Sequence, residues 1–270
     1  MTNSAVIPSG TVERTLRIVE TLASQPEGLP LASLADELNL PRSACHRLLA
    51  DLVRCGYVRQ LREMGDYTLT MRLPALGLSF LGAAGIVDIA QPIIDRLAEV
   101  SGELVRLALV DGDRLTFVAK AQGARTGLRY DPDMGIEVRL SCSAGGHAWL
   151  MMLDEERATE IVARQGFGSP REYGPNAPTT FKSLMKVLGE DRQRGFSLMA
   201  EMYAPGMSAM AAPVLRRGGA AAAVITIAGP LQRLTAARMQ ELGKPLVQAA
   251  EELAMAAASS PLLRRPAHSA

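Results

Sequence analysis

Small, hydrogen-bonding and cationic side chains recur at helical spacing near residue 45, and they could contact DNA. Ser43, His46 and Arg47 lie at positions i, i+3 and i+4, so a helix would place them on one face. Side chains of these types fit the major groove, where they hydrogen-bond to base edges or to phosphates. The opposite face is apolar and is predicted to be buried; it consists of Cys45, Leu48, Leu49 and Leu52. The spacing therefore predicts a recognition helix.

The charge around this helix also favours contact with phosphates. The protein has a formal net charge of +1, so no field of the whole molecule attracts nucleic acid. Between residues 42 and 62, however, five arginines stand against one acid, Asp51. Together with Ser43 and His46, the predicted DNA-binding residues are therefore Arg42, Arg47, Arg54, Arg59 and Arg62. The alternative is a small structural module whose arginines are merely solvated, since motif matches carry false positives.

The elements around the recognition helix predict a winged helix-turn-helix. Residues 31–38 repeat the apolar helical pattern, and only a tight turn separates them from the recognition helix. Gly56 ends the recognition helix, and wing strands are predicted at residues 57–60 and 67–70, with a turn at residues 64–66. A first helix would bury one apolar face; its residues are Val12, Leu16, Val19 and Leu22.

A second group of residues could hold a small acid. Ser143 is predicted to cap a helix at residues 143–153, and the small residues Ala144 and Gly145 would leave its first N–H groups open to an anion. The preceding segment adds side chains that could pair with a carboxylate or remain exposed; they are Arg129, Tyr130 and Arg139. The pattern predicts an anion-binding helix start.

The same helix offers an alternative in covalent catalysis. His147 lies one turn after Ser143 and five residues after Cys142, so either of these could form a nucleophile pair with it. No third orienting group and no GxSxG motif accompany them, which disfavours catalysis. A metal site at Cys142 and His147 lacks further ligands at usable spacing. We therefore expect neither a metal nor a cofactor.

Beyond residue 90 the chain alternates strand and helix patterns, which indicates an α+β domain on a largely antiparallel sheet. A hairpin turn is predicted at residues 111–113. The predicted strands cover residues 104–110, 115–121, 138–140, 196–200, 209–215 and 221–227. The predicted helices cover residues 92–101, 143–153, 154–164 and 180–194, followed by a long helix capped by Thr235.

The length of 270 residues suits about two domains. We expect three folded parts: a winged helix-turn-helix DNA-binding domain at residues 11–70, a linker helix at residues 71–90 and the α+β domain at residues 91–260. Flexible tails are expected at residues 1–10 and 261–270. The linker has an apolar stripe that either pairs with a second copy of the chain or packs on its own second domain. Its residues are Leu73, Leu76, Gly77, Phe80, Ala84 and Val87.

Cysteine content and hydropathy indicate the compartment. The three cysteines form no CxxC pair and are odd in number, which argues against a disulfide framework and a zinc site. The first ten residues lack the charged and apolar parts of a signal peptide, and no stretch reaches the ~20 apolar residues that a membrane span requires. We expect a cytoplasmic protein without a membrane partner.

Together, these segments resemble the IclR-type bacterial transcriptional regulators, from about Val12 to Ala258. At the N-terminal end, the similar runs are LPRSACHRLLADLVRCGYV and GDYTLTMRLPALG. In the second domain, three runs match the family in order and spacing; they are LSCSAGGHAWLMML, GFSLMAEMYAPGMSAMAAPV and AAAVITIAGPLQRLT. The resemblance implies a winged helix-turn-helix, a linker helix and an α+β effector-binding domain, in dimers or dimers of dimers. It also implies repression or activation of operons for the catabolism of small carboxylic or aromatic acids.

In that family the effector lies in a cleft between the sheet and the helix that begins near Ser143. By motif position, the resemblance places there Ala144, Gly145, Glu201, Ala209, Thr226 and Ala228. The chain departs from the family pattern, since Ala209 replaces a usual cysteine, Ala228 a polar residue and His147 a lysine. Because methionines cluster in the same segment, we expect an apolar, adaptable pocket for an aromatic or longer apolar acid, with core filling as the alternative role of each methionine. These methionines are Met199, Met202, Met207 and Met210.

The sequence thus predicts a ligand-responsive, DNA-binding regulator of a catabolic operon that senses a small carboxylic acid. Its partners would be a double-stranded DNA operator, the effector, and further copies of the chain in a homodimer or homotetramer. The predicted effector-binding residues are Arg129, Tyr130, Ser143, Ala144, Gly145, His147, Glu201, Met207, Ala209, Thr226 and Ala228. An enzyme that uses Ser143 and His147 beside an accessory helical domain is one alternative. A protein-interaction module that uses residues 73–87 is another.

Overall fold

The chain forms two compact units, Met1–Phe80 and Leu81–Ala270. The computed structural model describes residues 10–62, 65–132, 138–168, 171–216, 218–256 and 260. The two predicted tails, apart from Gly10, lie outside the described residues, as does Met64 in the predicted wing turn. Among the described residues, the N-terminal unit has one hydrophobic core and the C-terminal unit has two.

The N-terminal unit is a winged helix-turn-helix, as predicted. Its elements in chain order are α1 (Thr11–Ala23), α2 (Leu31–Glu37), α3 (Arg42–Arg54), β1 (Val58–Gln60) and β2 (Tyr67–Leu69). The two wing strands pair antiparallel, with Arg59 opposite Thr68. Apolar residues at helical spacing fill a core that includes Leu34, Cys45 and Leu49, so the predicted inner faces of α2 and α3 are confirmed.

The first helix, α1, buries only part of the predicted face, since Leu22 lies in the core and Val19 packs against it. Ile18 and Leu22 lie in the core, whereas Val12 and Leu16 are 73% and 55% exposed, so the prediction was wrong at these two positions. The sequence of α1 is apolar on more than one side, and periodicity does not name the packing partner. Contact with α3 and β2 selects the side that contains Ile18.

The segment predicted as one linker helix at residues 71–90 forms parts of two helices. They are α4 (Arg72–Ala84) and α5 (Ile86–Ser101), and α5 includes the helix predicted at residues 92–101. Gly85 separates them with a φ of 63°, a left-handed conformation that glycine adopts without steric cost. In the described part of the chain, no single helix is both long enough and apolar enough to cross a membrane. Only α4 and α5 taken together reach that length and apolarity, and they are sharply bent relative to each other.

The apolar stripe of this segment divides between two environments. Leu81, Ala84 and Val87 pack in the core of the C-terminal unit. Leu76 and Phe80, nearer the start of α4, are 53% and 55% exposed. The second half of the stripe therefore packs on the chain's own C-terminal unit, and the first half remains open to solvent.

Within the described residues, the C-terminal unit contains a five-stranded antiparallel sheet in the order β4-β3-β7-β6-β5, which confirms the predicted α+β class. Its strands are β3 (Leu104–Asp111), β4 (Arg114–Gln122), β5 (Ser197–Ala200), β6 (Met207–Leu215) and β7 (Ala221–Pro230). β3 and β4 form a hairpin, and β7 pairs with both β3 and β6. All residues of β7 are buried, as expected for a central strand with helices on both sides.

Helices cover both faces of this sheet. α5 and α9 (Ala236–Ala256) pack on one face. The other face carries α6 (Ala144–Leu150), α7 (Glu155–Gln165) and α8 (Phe181–Arg194). Each face of the sheet thus has its own core: the α5–α9 core lies between the sheet and α5 and α9, and the α6 core lies between the sheet and α6, α7 and α8. Side chains of β7 alternate between them, since Ile225 enters the α5–α9 core and Val224 enters the α6 core.

The strand predicted at residues 138–140 does not form, although Val138 and Leu140 are buried. The side chain of Gln165 replaces a neighbouring strand. Its Nε2 donates to the Val138 carbonyl at 2.9 Å, and its Oε1 accepts from the Leu140 N–H at 2.8 Å. One amide side chain thus satisfies backbone groups that a strand ladder would have paired.

Candidate functional site

The predicted recognition face lies on the surface of α3. Ser43, His46 and Arg47 are exposed, whereas Cys45 and Leu49 on the opposite side are fully buried. The buried side packs against α1, α2 and β1. The core therefore holds this helix in place while its polar face remains accessible to a large partner.

The predicted arginines are exposed as well, on α3 and on the wing; they are Arg42, Arg47, Arg54, Arg59 and Arg62. Arg54 differs from the others because it donates to Asp51 at 2.7 Å, which offsets its charge locally. Arg47 forms no ion pair with a described residue. Exposed cations beside the polar face of α3 give this surface the charge that phosphate contacts require.

A cavity of about 70 Å³ lies in the C-terminal unit between α6 and the sheet. At roughly 10–15 Å³ for each buried water, this volume is sufficient for about five water molecules. Residues predicted from the sequence line much of it; they are Tyr130, Ser143, Ala144, Gly145, Met207, Ala209, Thr226 and Ala228. Met199 and Met202 of the methionine cluster also line the cavity, whereas Met210 lies in the α5–α9 core.

The start of α6 forms one wall of the cavity, and its predicted cap is confirmed. The Ser143 Oγ accepts a hydrogen bond from the Gly146 N–H at 3.1 Å. A Cβ at Gly146 would lie 2.3 Å from the Leu140 carbonyl oxygen, so only glycine allows this approach of the two segments. The Ser143 oxygen therefore acts as an acceptor for its own helix, and this bond does not use its O–H donor.

The cavity also contains a charged residue that was not predicted from the sequence. Arg106 lies on β3, and its guanidinium carbon is 3.7 Å from the centre of the Phe117 ring and 5.9 Å from that of Tyr130. Burial lowers the pKa of the Arg106 guanidinium from its usual value. The available signal was a single arginine inside the otherwise apolar strand LVRLALV. Such a residue is unusual in a buried strand unless it has a partner.

Some predicted effector-binding residues do not line the cavity; they are Arg129, His147 and Glu201. Arg129 is exposed. The Glu201 carboxylate accepts from the Gly206 N–H at 2.9 Å, and Glu201 itself has a φ of 53°. It therefore closes the turn between β5 and β6 instead of facing the cavity.

His147 is buried in the α6 core. Its Nε2 lies 2.9 Å from the Ser141 carbonyl oxygen, and its Nδ1 lies 3.4 Å from Oδ2 of Asp191 on α8. Asp191 is also buried, and its Oδ1 accepts from Arg194 at 2.7 Å. The imidazole thus lies between α6 and α8 without a hydrogen bond to Asp191, and it does not line the cavity.

These contacts disfavour the nucleophile pairs that the sequence left open. Burial raises the pKa of the Cys142 thiol to about 12, so the thiol is protonated and unreactive at neutral pH. His147 and Ser143 are each held by the structural contacts given above. In the described ranges, no group of three or more His, Cys, Asp or Glu residues could hold a metal ion.

Comparison with known families follows the same division into an N-terminal and a C-terminal part. Residues 11–62 match the IclR helix-turn-helix domain, and residues 78–255 match the C-terminal domain of the bacterial transcriptional regulator IclR. The transcriptional repressor IclR of Escherichia coli K12 is 30% identical over 244 residues, which cover 90% of this chain and 88% of that protein. The HTH-type transcriptional regulator BhcR of Paracoccus denitrificans is 30% identical over 245 residues, which cover 90% of this chain and 85% of that protein.

Solved structures share the fold. An IclR regulator from Alicyclobacillus acidocaldarius has a TM-score of 0.78 at 21% identity, covering 92% of this chain and 98% of that one. An IclR homologue from Microbacterium hydrocarbonoxydans, solved in complex with 4-hydroxybenzoate, has a TM-score of 0.78 at 20% identity, covering 93% and 100%. The relatives are named as regulators of transcription and not as enzymes. With both of its parts matched, the chain belongs to the IclR family of bacterial transcriptional regulators, which join a DNA-binding helix-turn-helix to a ligand-binding C-terminal domain.

Proposed function

We propose that this regulator senses a small carboxylic acid with an aromatic or otherwise apolar body, and that the acid alters its binding to the operator of a catabolic operon. One observation carries the proposal. The described lining of the cavity is rich in alanine and methionine, and its charged residue is a cation, Arg106. An apolar wall suits the body of such an acid, and a cation attracts its carboxylate. The 4-hydroxybenzoate complex of the Microbacterium homologue supports the same class of ligand.

The DNA contacts would come from the exposed face of α3 and from the wing. Ser43, His46 and Arg47 would meet base edges in the major groove. Phosphate contacts would come from Arg42, Arg54, Arg59 and Arg62. Among these, Arg54 would contribute least, because binding DNA competes with its pairing to Asp51.

The chain would act as a homodimer or as a dimer of dimers. Leu73, Leu76 and Phe80 on α4 are exposed, and an exposed apolar stripe on a helix favours pairing with a second copy. Two copies would present two recognition helices to an operator with two half-sites. An effector that binds two arrangements of the dimer unequally would shift the population between them and so change operator affinity.

The direct test is a gel-shift titration with the DNA immediately upstream of the protein's own gene. It is run at two salt concentrations, with and without benzoate, 4-hydroxybenzoate and phenylacetate. We expect binding that weakens with salt, because phosphate contacts release counterions, and a midpoint that shifts when a recognised acid is present. Salt-dependent DNA binding that ignores every acid would contradict the proposed effector class and leave the regulator class intact.

Filling the cavity should separate effector binding from DNA binding. Ala228 is 4% exposed and lies opposite Ala209 in the β6–β7 register. Ala228→Phe places a phenyl ring in the cavity, so we expect acid binding to weaken by about tenfold or more while operator binding stays at the wild-type level. Calorimetric titration with the acids that shift the gel measures the first effect, and the gel shift measures the second.

The matched control is Ala237→Phe, because Ala237 is exposed on α9. This variant should keep both wild-type affinities. Wild-type acid affinity in a folded Ala228→Phe protein would show that the effector binds elsewhere.

A further inference from the structure

Arg106 is the one charged residue among the described lining residues of the cavity. Along β3, Val105 and Leu107 enter the α5–α9 core, whereas Ala108 enters the α6 core. Residues two apart in a strand share a face, so Arg106 belongs to the α6 side. Its register partner on β7 is Thr226, which also lines the cavity. The strand therefore directs this cation toward the cavity.

The Arg106 guanidinium has no carboxylate partner in the described part of the chain; its polar side-chain contact is with the Tyr130 hydroxyl, and its Nε donates no hydrogen bond there. The Asp131 carboxylate attracts the Arg106 guanidinium electrostatically but forms no ion pair with it. Asp131 pairs instead with Lys120 at 2.7 Å. The guanidinium makes a cation–π contact with the face of the Phe117 ring. This contact compensates for only part of the hydration that the guanidinium loses on burial. A largely desolvated cation in an apolar wall is costly until an anion pairs with it. The cavity wall thus offers a position that suits an anion.

The start of α6, which the sequence suggested as the anion site, is less suited to this role. α6 (Ala144–Leu150) has only seven residues, so few peptide dipoles add at its end. The Ser143 Oγ accepts from the Gly146 N–H, so one of the N–H groups at the helix start is no longer available to an anion. The residues of this wall are otherwise small and uncharged. A carboxylate in the cavity would therefore be held from the sheet side, by β3.

We propose that Arg106 binds the carboxylate of the effector directly and that it selects acids over their uncharged analogues. This inference rests on the proposed function, namely that an acid enters the cavity. The guanidinium presents a planar fork of N–H donors that matches a carboxylate with two parallel hydrogen bonds. The Phe117 ring lies against the guanidinium, and the Nε donor forms no hydrogen bond with a described residue. Met199 and Met202 then provide an adaptable wall for the apolar body.

The test compares acids with their primary amides. Calorimetric titration and thermal shift measure the binding of benzoate, 4-hydroxybenzoate, phenylacetate and cinnamate to the full chain, each beside its amide at equal ionic strength. In the wild type we expect at least one acid to bind about 10- to 100-fold more tightly than its amide, the range for charged hydrogen bonds. Arg106→Met should lose this preference. Arg106→Lys keeps the positive charge but lacks the planar fork of N–H donors, so this variant should keep only part of the preference for acids.

Arg114→Met is the matched control, because Arg114 is exposed on the neighbouring strand β4 and does not line the cavity. It should bind acids like the wild type. Since Arg106→Met removes a desolvated cation, its ligand-free melting temperature should equal or exceed that of the wild type, which verifies the fold. An acid preference that survives in Arg106→Met overturns the role of Arg106 and leaves acid sensing intact. A wild-type protein without any acid preference overturns both proposals.

Discussion

Arg47→Ala is expected to weaken operator binding more than any other single change on the recognition face. Arg47 is exposed on α3 and, unlike Arg54, makes no ion pair with a described residue, so its whole charge is available to DNA. A side chain that contacts a base edge contributes about 1–3 kcal/mol, which is about 5- to 150-fold in affinity. In a dimer both recognition helices lose the contact, and the two losses add. Fluorescence anisotropy with the labelled upstream fragment measures the change.

Two controls identify the kind of contact. Arg114→Ala removes the same charge from the C-terminal unit and should leave DNA binding unchanged. If Arg47 contacts a base, the dependence of log affinity on log salt should keep its wild-type slope, whereas a phosphate contact would reduce the slope by about one. Acid binding by Arg47→Ala should equal that of the wild type. Wild-type operator affinity in this variant would remove Arg47 from the DNA-binding surface.

The N-terminal unit could be predicted in detail because its determinants are local. The buried faces of α2 and α3 follow from apolar residues three and four positions apart, such as Cys45, Leu48 and Leu49. The exposed face of α3 then follows by exclusion. Local pattern was insufficient for α1, because its partners in the core, and not its own periodicity, decide that Ile18 is buried and Leu16 is exposed.

The cavity could be predicted only in part, because its walls come from distant parts of the chain. The resemblance to a family supplied positions such as Ala144 and Ala228. Arg106 was missed because its environment depends on the register of β3 with β7 and on Phe117 from β4. The false strand at residues 138–140 has a similar cause. The backbone of this segment is hydrogen-bonded by a side chain on α7, and a contact of this kind cannot be predicted from the spacing of apolar residues.

His147→Leu is expected to have the largest effect on the stability of the C-terminal unit. The buried imidazole bonds the Ser141 carbonyl through Nε2 at 2.9 Å, while its Nδ1 lies 3.4 Å from the Asp191 carboxylate without forming a hydrogen bond. Leucine fills the space but donates nothing to the Ser141 carbonyl, so we expect a loss of about 2 kcal/mol in the free energy of unfolding. For a unit of this size, the melting temperature should fall by about 4–8 °C. Differential scanning calorimetry of the full chain measures the shift.

The same variant distinguishes a structural role of His147 from the ligand contact predicted by its sequence position. His147 does not line the cavity, so below the melting transition His147→Leu should bind acids with wild-type affinity. Asp191 still accepts from Arg194 and from the Leu198 N–H, which keeps the loss below that of an uncompensated buried charge. His147→Gln can donate to the Ser141 carbonyl and should recover part of the stability. An unchanged melting temperature together with lost acid binding would instead place His147 at the effector, because only a ligand contact changes affinity without changing the folded state.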